Sequence, residues 1–349
     1  MTGIIKFINS LVFLKRIAAP ARMTLCRRKL VKYLMPPAAT VTVFLCITYI
    51  VKLANIFVIS GLEVSKINET PPGHFLCYTC YGRLGNHMFQ YASLMGIAAL
   101  NNLSLIVGKE ERLYKVFALK NVTILDNRDV CNKFEFIEER MGCCRFDKDL
   151  MNLPKGKSFR VGYYLQSWKY FYHIEDVIRR QFQFRDYINE KASHVVKIVM
   201  ERFLKKSPTL VGIHIRIGDM LDEVNNRYGL VIAPEGYIYK SMDYMKARFQ
   251  NIIFVVASDD LEWSKTVLSV RRNDSIYFLD ERSTPEEDLA VLAHCDHVIQ
   301  TVGSFGWWAG FLAGGSSIYY PHPGRIGSKG EARYNYTDFF PPKWIPIDV

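Results

Sequence analysis

The chain has 349 residues, 49% of them hydrophobic and 23% charged, enough for one large or two medium domains with ample core. Its formal net charge of +11 points first to a polyanion binder. Nine of its 45 Lys and Arg residues, Lys6 to Lys52, precede the first acidic residue, Glu63; the other 36 face 34 acidic ones, so the body is nearly neutral and nucleic-acid binding loses its main support.

In chain order, residues 1–34 form a basic tail and residues 35–59 an apolar stretch whose single charge is Lys52. That length crosses a bilayer, with Lys52 able to snorkel toward an interface. Eight positive charges and no negative one lie ahead of it, which predicts a cytoplasmic N-terminus. The segment lies too far from Met1 for a cleaved signal peptide, so it reads as a single-pass, type II signal anchor, with residues 60–74 as a stem. Sequons at Asn68, Asn102, Asn121, Asn273 and Asn335 agree with a luminal body. So does an even set of six cysteines beyond the anchor (Cys77, Cys80, Cys131, Cys143, Cys144 and Cys295), which allows fifteen disulfide connectivities.

The body reads as strands alternating with helices. "HFLCYTC" is a strand, "GNHMFQYASLMGIAALNN" a helix and "LSLIVG" a strand, whereas residues 111–170 resist assignment. "IEDVIRRQFQF" and "INEKASHVVKIVMERFLKK" carry helical spacing. From residue 209 the alternation sharpens: strands "TLVGIHIR", "NIIFVVAS", "SIYFLD", "HVIQTV" and "SSIYYP" enclose four helices. One of those helices opens at Thr284 with Glu287 in capping-box spacing. This pattern predicts α/β architecture with a parallel, doubly wound sheet, in two halves, residues 75–206 and 207–349.

Three stretches place glycine and polar residues at expected C-terminal strand ends, where parallel sheets bind ligands. "YGRLGNHMF" holds Gly82, Gly85 and Asn86 between strand and helix, a turn whose N–H groups can approach an anion. "HIRIGD" holds His214, Arg216 and Asp219; the Arg fork suits a diphosphate, and the competing reading is a structural Arg–Asp pair. "TVGSFGWWAGFLAGG" holds Gly303, Ser304, Phe305 and Gly306 ahead of an apolar helix. Metal readings are weaker. The one DxD, Asp147 and Asp149, reads as a solvated turn, "HCDH" (His294, His297) as a helix-to-strand junction, and "CYTC" has no partner half-site.

Together "GRLGNHMFQYASLMGIA", "VGIHIRIGD", "SDDLEW" and "TVGSFGWWAGFLAGG" resemble the galactoside α-1,2-fucosyltransferase family, in the right order over roughly residues 75–320. The resemblance implies a GT-B-like fold of two Rossmann-like halves, GDP-fucose as donor, a terminal β-galactoside as acceptor, inversion at the fucose anomeric carbon without a metal or other cofactor, and a Golgi membrane location. It implies that Arg216 contacts the pyrophosphate, with His214 near the nucleotide. It also implies Ser304 as a phosphate ligand within the Gly303–Gly306 turn, and Asp288 as the partner of guanine. Asp219 is the nearest candidate base by sequence, with Asp222 and Glu223 on the same loop. The chain departs from the family at Ile217, where a second Arg is common, and at His87, where Gln is common. Ile217 is what favours the competing reading, a catalytically inactive, membrane-anchored carbohydrate-binding relative.

Overall fold

In the computed structural model, which describes residues 73–349, two wholly parallel sheets carry the body. The first comprises β1 (Phe75–Tyr78), β2 (Ser104–Gly108), β3 (Thr123–Leu125), β4 (Glu135–Glu138) and β5 (Phe159–Gly162), in the order β3-β2-β1-β5-β4. The second comprises β6 (Thr209–Ile215), β7 (Ile252–Ser258), β8 (Ile276–Phe278), β9 (His297–Gln300), β10 (Ser317–Tyr319) and β11 (Ile345–Pro346), in the order β11-β10-β9-β6-β7-β8. The tail, the proposed anchor at 35–59, most of the stem and Asn68 lie outside the described residues. Among the described residues no helix is long and apolar enough to cross a membrane.

Parallel strands need crossovers, and the helices supply them. In the first half these are α1 (Leu84–Asn101), α2 (Arg112–Val116), α3 (Glu175–Gln181) and α4 (Asp186–Phe203). In the second they are α5 (Glu223–Tyr228), α6 (Glu235–Lys246), α7 (Leu261–Leu268), α8 (Pro285–Ala293) and α9 (Ser304–Ala313). Thr284 closes the expected capping box: its hydroxyl accepts from Glu287 N at 3.3 Å, and Thr284 N donates to Glu287 Oε2 at 3.0 Å.

β6 runs in register with β7 from Thr209↔Ile252 to Ile215↔Ser258 and is flanked by β9 on its other side. Its period of two sorts its side chains: Val211, Ile213 and Ile215 enter one apolar core, and Ile217 just beyond the strand continues that face. His214 and Arg216 occupy the alternate positions and line a cleft. A second core runs without interruption through both sheets, from Phe89 on α1 to Trp307 and Trp308 on α9 and Leu289 on α8. The two halves are therefore fused into one body, not two separately packed domains.

The stretch that sequence pattern left unassigned, 111–170, holds β3, β4 and β5 joined by 3₁₀ turns. A disulfide links Cys77 on β1 to Cys131 in one of those turns. Cys80, Cys143, Cys144 and Cys295 carry free thiols.

Candidate functional site

The strand ends of both sheets and the first turns of α1 and α9 enclose a cleft of about 880 Å³. Gly82, Gly85, Asn86, His214, Arg216, Asp219, Asp288, Gly303, Ser304 and Phe305 all line it. Gly306 does not. It sits behind the His214 ring, where a Cβ would come 2.7 Å from Nδ1, so its role is close packing and not ligand contact, contrary to the sequence expectation.

The sequence folds the anion end of the cleft by two close approaches. Gly303 precedes α9 at φ +92° and ψ 166°, a region open essentially to glycine, and any Cβ there would collide with Arg216 Nη1. Gly85 lets α1 touch the same turn, since its Cβ would lie 2.8 Å from both Phe305 N and Ser304 Oγ. Ser304 Oγ donates to Asn86 Oδ1 at 2.7 Å, and Trp308 Nε1 donates to Gly85 O at 2.9 Å. Trp307 Nε1 donates to Phe339 O at 2.8 Å. Both tryptophans are fully buried against Phe89 and Phe171, so they wedge α9 in place and do not face the cleft. The unpaired N–H groups of the first turn of α9 thus open toward Arg216.

Arg216 presents a planar fork. Nε donates to Asp219 Oδ1 at 3.0 Å and Nη2 to Oδ2 at 2.8 Å, while Arg83 Nη1 stands 3.7 Å from the same Oδ2. The Arg216 hydrogen bond and charge hold the Asp219 carboxyl below its ordinary range. A carboxylate with both oxygens engaged and a lowered pKa is a poor proton acceptor, so the geometry gives Asp219 a positioning role in place of the base expected from sequence. Neither Asp222 nor Glu223 lines the cleft, and Glu223 is exposed and paired with Arg227. Arg216 N donates to Thr301 Oγ1 at 3.0 Å and Ile217 N to Asp259 Oδ1 at 2.8 Å, fixing the loop from both neighbours.

The Ile217 side chain is 1% exposed and points into the core, away from the cleft. His214 is buried with its ring 4.9 Å from Phe305, and burial together with the Arg216 charge lowers its pKa to about 3, so it is neutral. At the far end Ser283 Oγ donates to Asp288 Oδ1 at 2.5 Å, and burial raises the Asp288 carboxyl to about 6.

Three residues of the unassigned stretch also reach the cleft: Cys143, Tyr164 and Gln166, whose Nε2 donates to Asn86 Oδ1 at 2.7 Å. Arg333 and Tyr334 close the same side. Nothing in local spacing marks them, because loops from a different strand bring them in. The other sequence candidates prove structural. Asp147 is buried, not a solvated turn residue; it caps a 3₁₀ turn and pairs with Arg140, as Asp149 does. His294 Nδ1 lies 2.8 Å from Ala290 O, and His297 Nδ1 accepts from Ser316 N at 2.9 Å. His87 is partly buried, and its pKa is lowered by burial first and by the nearby Arg112 charge second. Among the described residues no three His, Cys, Asp or Glu side chains group as metal ligands.

Two parallel sheets with a cleft at their strand ends define a doubly wound α/β protein of the kind that binds its ligand at those ends. Residues 51–348 match glycosyl transferase family 11, and the chain belongs to that family. It is 30% identical to galactoside alpha-(1,2)-fucosyltransferase 1 of Gorilla gorilla gorilla, covering 77% of this chain and 73% of the relative. The enzyme of the same name from Saimiri sciureus is 29% identical over 84% of this chain and 82% of its own. Among solved structures, a mutant of Arabidopsis thaliana FUT1 in complex with GDP superposes with a TM-score of 0.50 at 12% identity, covering 75% of this chain and 76% of that one, which shows a shared fold.

Proposed function

We propose that the chain is a galactoside 2-alpha-L-fucosyltransferase of GT-B-like architecture, moving L-fucose from GDP-fucose to the 2-hydroxyl of a terminal β-galactoside with inversion, giving an α-1,2 linkage. The observation that carries this reading is that Arg216, Ser304 and the N-terminus of α9 line one cleft, with the Arg216 Nη1 edge against Gly303 at the start of that helix. As the acceptor hydroxyl attacks fucose C1, negative charge grows on the β-phosphate of departing GDP. A fixed guanidinium and backbone dipoles aimed there lower the barrier without waiting for reorganisation. The same donors take the place of a divalent cation, so the reading is metal-independent. Asp288, at the opposite end, accepts the guanine N–H groups. Asp219 orients the Arg216 fork.

The reading extends to topology: a type II Golgi membrane protein with the body in the lumen. The Cys77–Cys131 disulfide supports an oxidising compartment, and Asn102, Asn121, Asn273 and Asn335 are all exposed, as glycan acceptors must be. The case for an inactive relative weakens once Ile217 is seen to continue the core-facing row of β6, since a cleft cation is not what that position supplies. The test is to incubate the full chain with GDP-fucose, lactose-type acceptors and EDTA. An α-1,2-fucosylated product is expected; GDP binding without product on any galactoside, or product only after Mn²⁺ is restored, refutes the reading.

A further inference from the structure

Cys143 and Cys144 form an unusual pair at the edge of the cleft. In an extended chain consecutive side chains point to opposite sides. Here a turn with Gly142 at φ +74° and Cys144 at φ +65° swings both to one side, and their Sγ atoms lie 2.6 Å apart, inside van der Waals contact. Both thiols donate to the same oxygen, Gln166 Oε1, at 2.8 Å from Cys143 and 3.3 Å from Cys144. Gln166 Nε2 in turn donates to Asn86 Oδ1, which also accepts from Ser304 Oγ. Two sulfur donors therefore set the amide that orients Asn86 beneath the α9 turn. Cys144 is fully buried, whereas Cys143 lines the cleft together with Arg333. Among the described residues the other free cysteines have separate partners, Cys80 with Arg128 and Cys295 with Val291 O.

We propose that Cys143 and Cys144 are a redox-modification site, a dithiol that closes to a vicinal disulfide and thereby releases Gln166 from the chain leading to Ser304. The oxidant is a disulfide of the glutathione class. The Cys143 thiolate attacks one of its sulfurs and expels a thiolate, which takes up a proton. Cys144, losing its proton, then attacks the Cys143 sulfur of the mixed disulfide and expels the second thiol. Two protein thiols are oxidised and one external disulfide is reduced to two thiols. Neighbouring Cα atoms stand about 3.8 Å apart, below the roughly 4.4 Å minimum of ordinary bridges, so the bond is strained and readily reversed.

A disulfide sulfur has no hydrogen to give. Oxidation leaves the buried Gln166 carbonyl without its two donors, and turning the amide supplies none, since it sets two oxygens, Gln166 Oε1 and Asn86 Oδ1, against each other. The consequence for transfer rests on the assignment of Ser304 to the donor phosphate; the chemistry of the pair does not.

The test equilibrates the full chain in detergent across ratios of glutathione to its disulfide, alkylates free thiols, and maps peptides by mass spectrometry beside a fucosyl-transfer assay. At the oxidising end the peptide holding both cysteines should escape alkylation and be lighter by a pair of hydrogens, with Cys77–Cys131 intact throughout. Transfer should fall about ten-fold, as expected for a buried acceptor left unsatisfied in the donor turn, and recover on reduction. Cys144→Ser should make the rate independent of the ratio. Two alkylated thiols at every ratio, a bridge to Cys80 or Cys295 instead, or an oxidised pair with unchanged transfer would each overturn the proposal. Peptide mapping of the unaltered chain decides the chemistry even if the variant misfolds or no transfer is found.

Discussion

The two sheets have the same parallel construction and divide the polar work differently. In the second half two charged cleft residues find partners close in sequence: Arg216 with Asp219 and Asp288 with Ser283. In the first half the partners come from far away. Gln166 holds Asn86, Ser167 Oγ donates to Asp338 O, and the buried Glu139 receives the Leu165 and Tyr170 hydrogens. The second half sets Arg216, Asp219 and Asp288 on the cleft wall; the first adds Arg83 and Arg112 and positions loops. Local charge clusters at strand ends thus mark a binding edge, while long-range polar contacts mark the scaffold that shapes it. Substitutions of the charged cleft residues in the second half should strike turnover, and those of the buried Glu139 network in the first should strike stability.

The largest effect is expected at Arg216. Lysine keeps the charge and loses the planar fork that meets both a diphosphate and Asp219. Arg216→Lys should lower kcat by about 10²–10³-fold with the fold intact by circular dichroism. A kcat within threefold of the parent would remove Arg216 from the leaving-group role and break the contrast at its strongest point.

Next comes Gly303→Ala. The φ of +92° strains any other residue, and the added carbon strikes the Arg216 guanidinium. Displacing that group by even about 1 Å should cost roughly 10–100-fold in kcat/KM. Donor affinity and rate should fall together; a loss confined to thermal stability would mean the turn shapes the fold and not the site.

Asp288→Asn follows. Burial holds this carboxyl at about 6, above its usual range, so the acceptor form is present above that pH and is lost as the pH falls through it. GDP affinity of the parent should therefore drop below about pH 6, and the Asn variant should bind roughly ten-fold more weakly with a flat profile. Calorimetric titration with GDP from pH 5 to 8 reads both, and a parent profile without that inflection would detach Asp288 from the base.

The same contrast explains what the sequence made legible. β6, β7 and β9 are almost wholly buried, so alternation from residue 209 onward marks strands, helices and two of the three anion-facing turns. Gly303, Ser304 and Arg216 are findable because each sits at a strand end or in a helix's first turn, whereas Asp288 comes only from the family resemblance. β3 and β4 are short edge strands with exposed or half-buried side chains and no clean period, and 3₁₀ turns separate them. Gln166, Tyr164 and Cys143 carry no signal of their own, since contacts to α1 and α9 place them. Asp147 was misread for the same reason: its burial depends on Tyr170 and Arg140, and no local pattern announces that.

The smallest effect tests the scaffold half. Glu139 is buried just beyond β4, where Oε2 accepts from Leu165 N at 3.0 Å and Oε1 from the Tyr170 hydroxyl at 3.3 Å. Burial raises its carboxyl to about 8 despite those bonds. The folded protein therefore keeps a proton that the unfolded chain gives up above about pH 4.5, so stability falls as pH rises from there through about 8. Gln keeps the oxygen that Leu165 needs and has no proton to lose. Glu139→Gln should leave kcat nearly unchanged and raise Tm by about 2–4 °C at pH 8, with the gain shrinking toward zero near pH 5. A gain that does not vary with pH would show that the carboxyl is not held neutral. A large loss of kcat would move Glu139 from the scaffold to the chemistry, and the division of labour between the two halves would have to be redrawn around it.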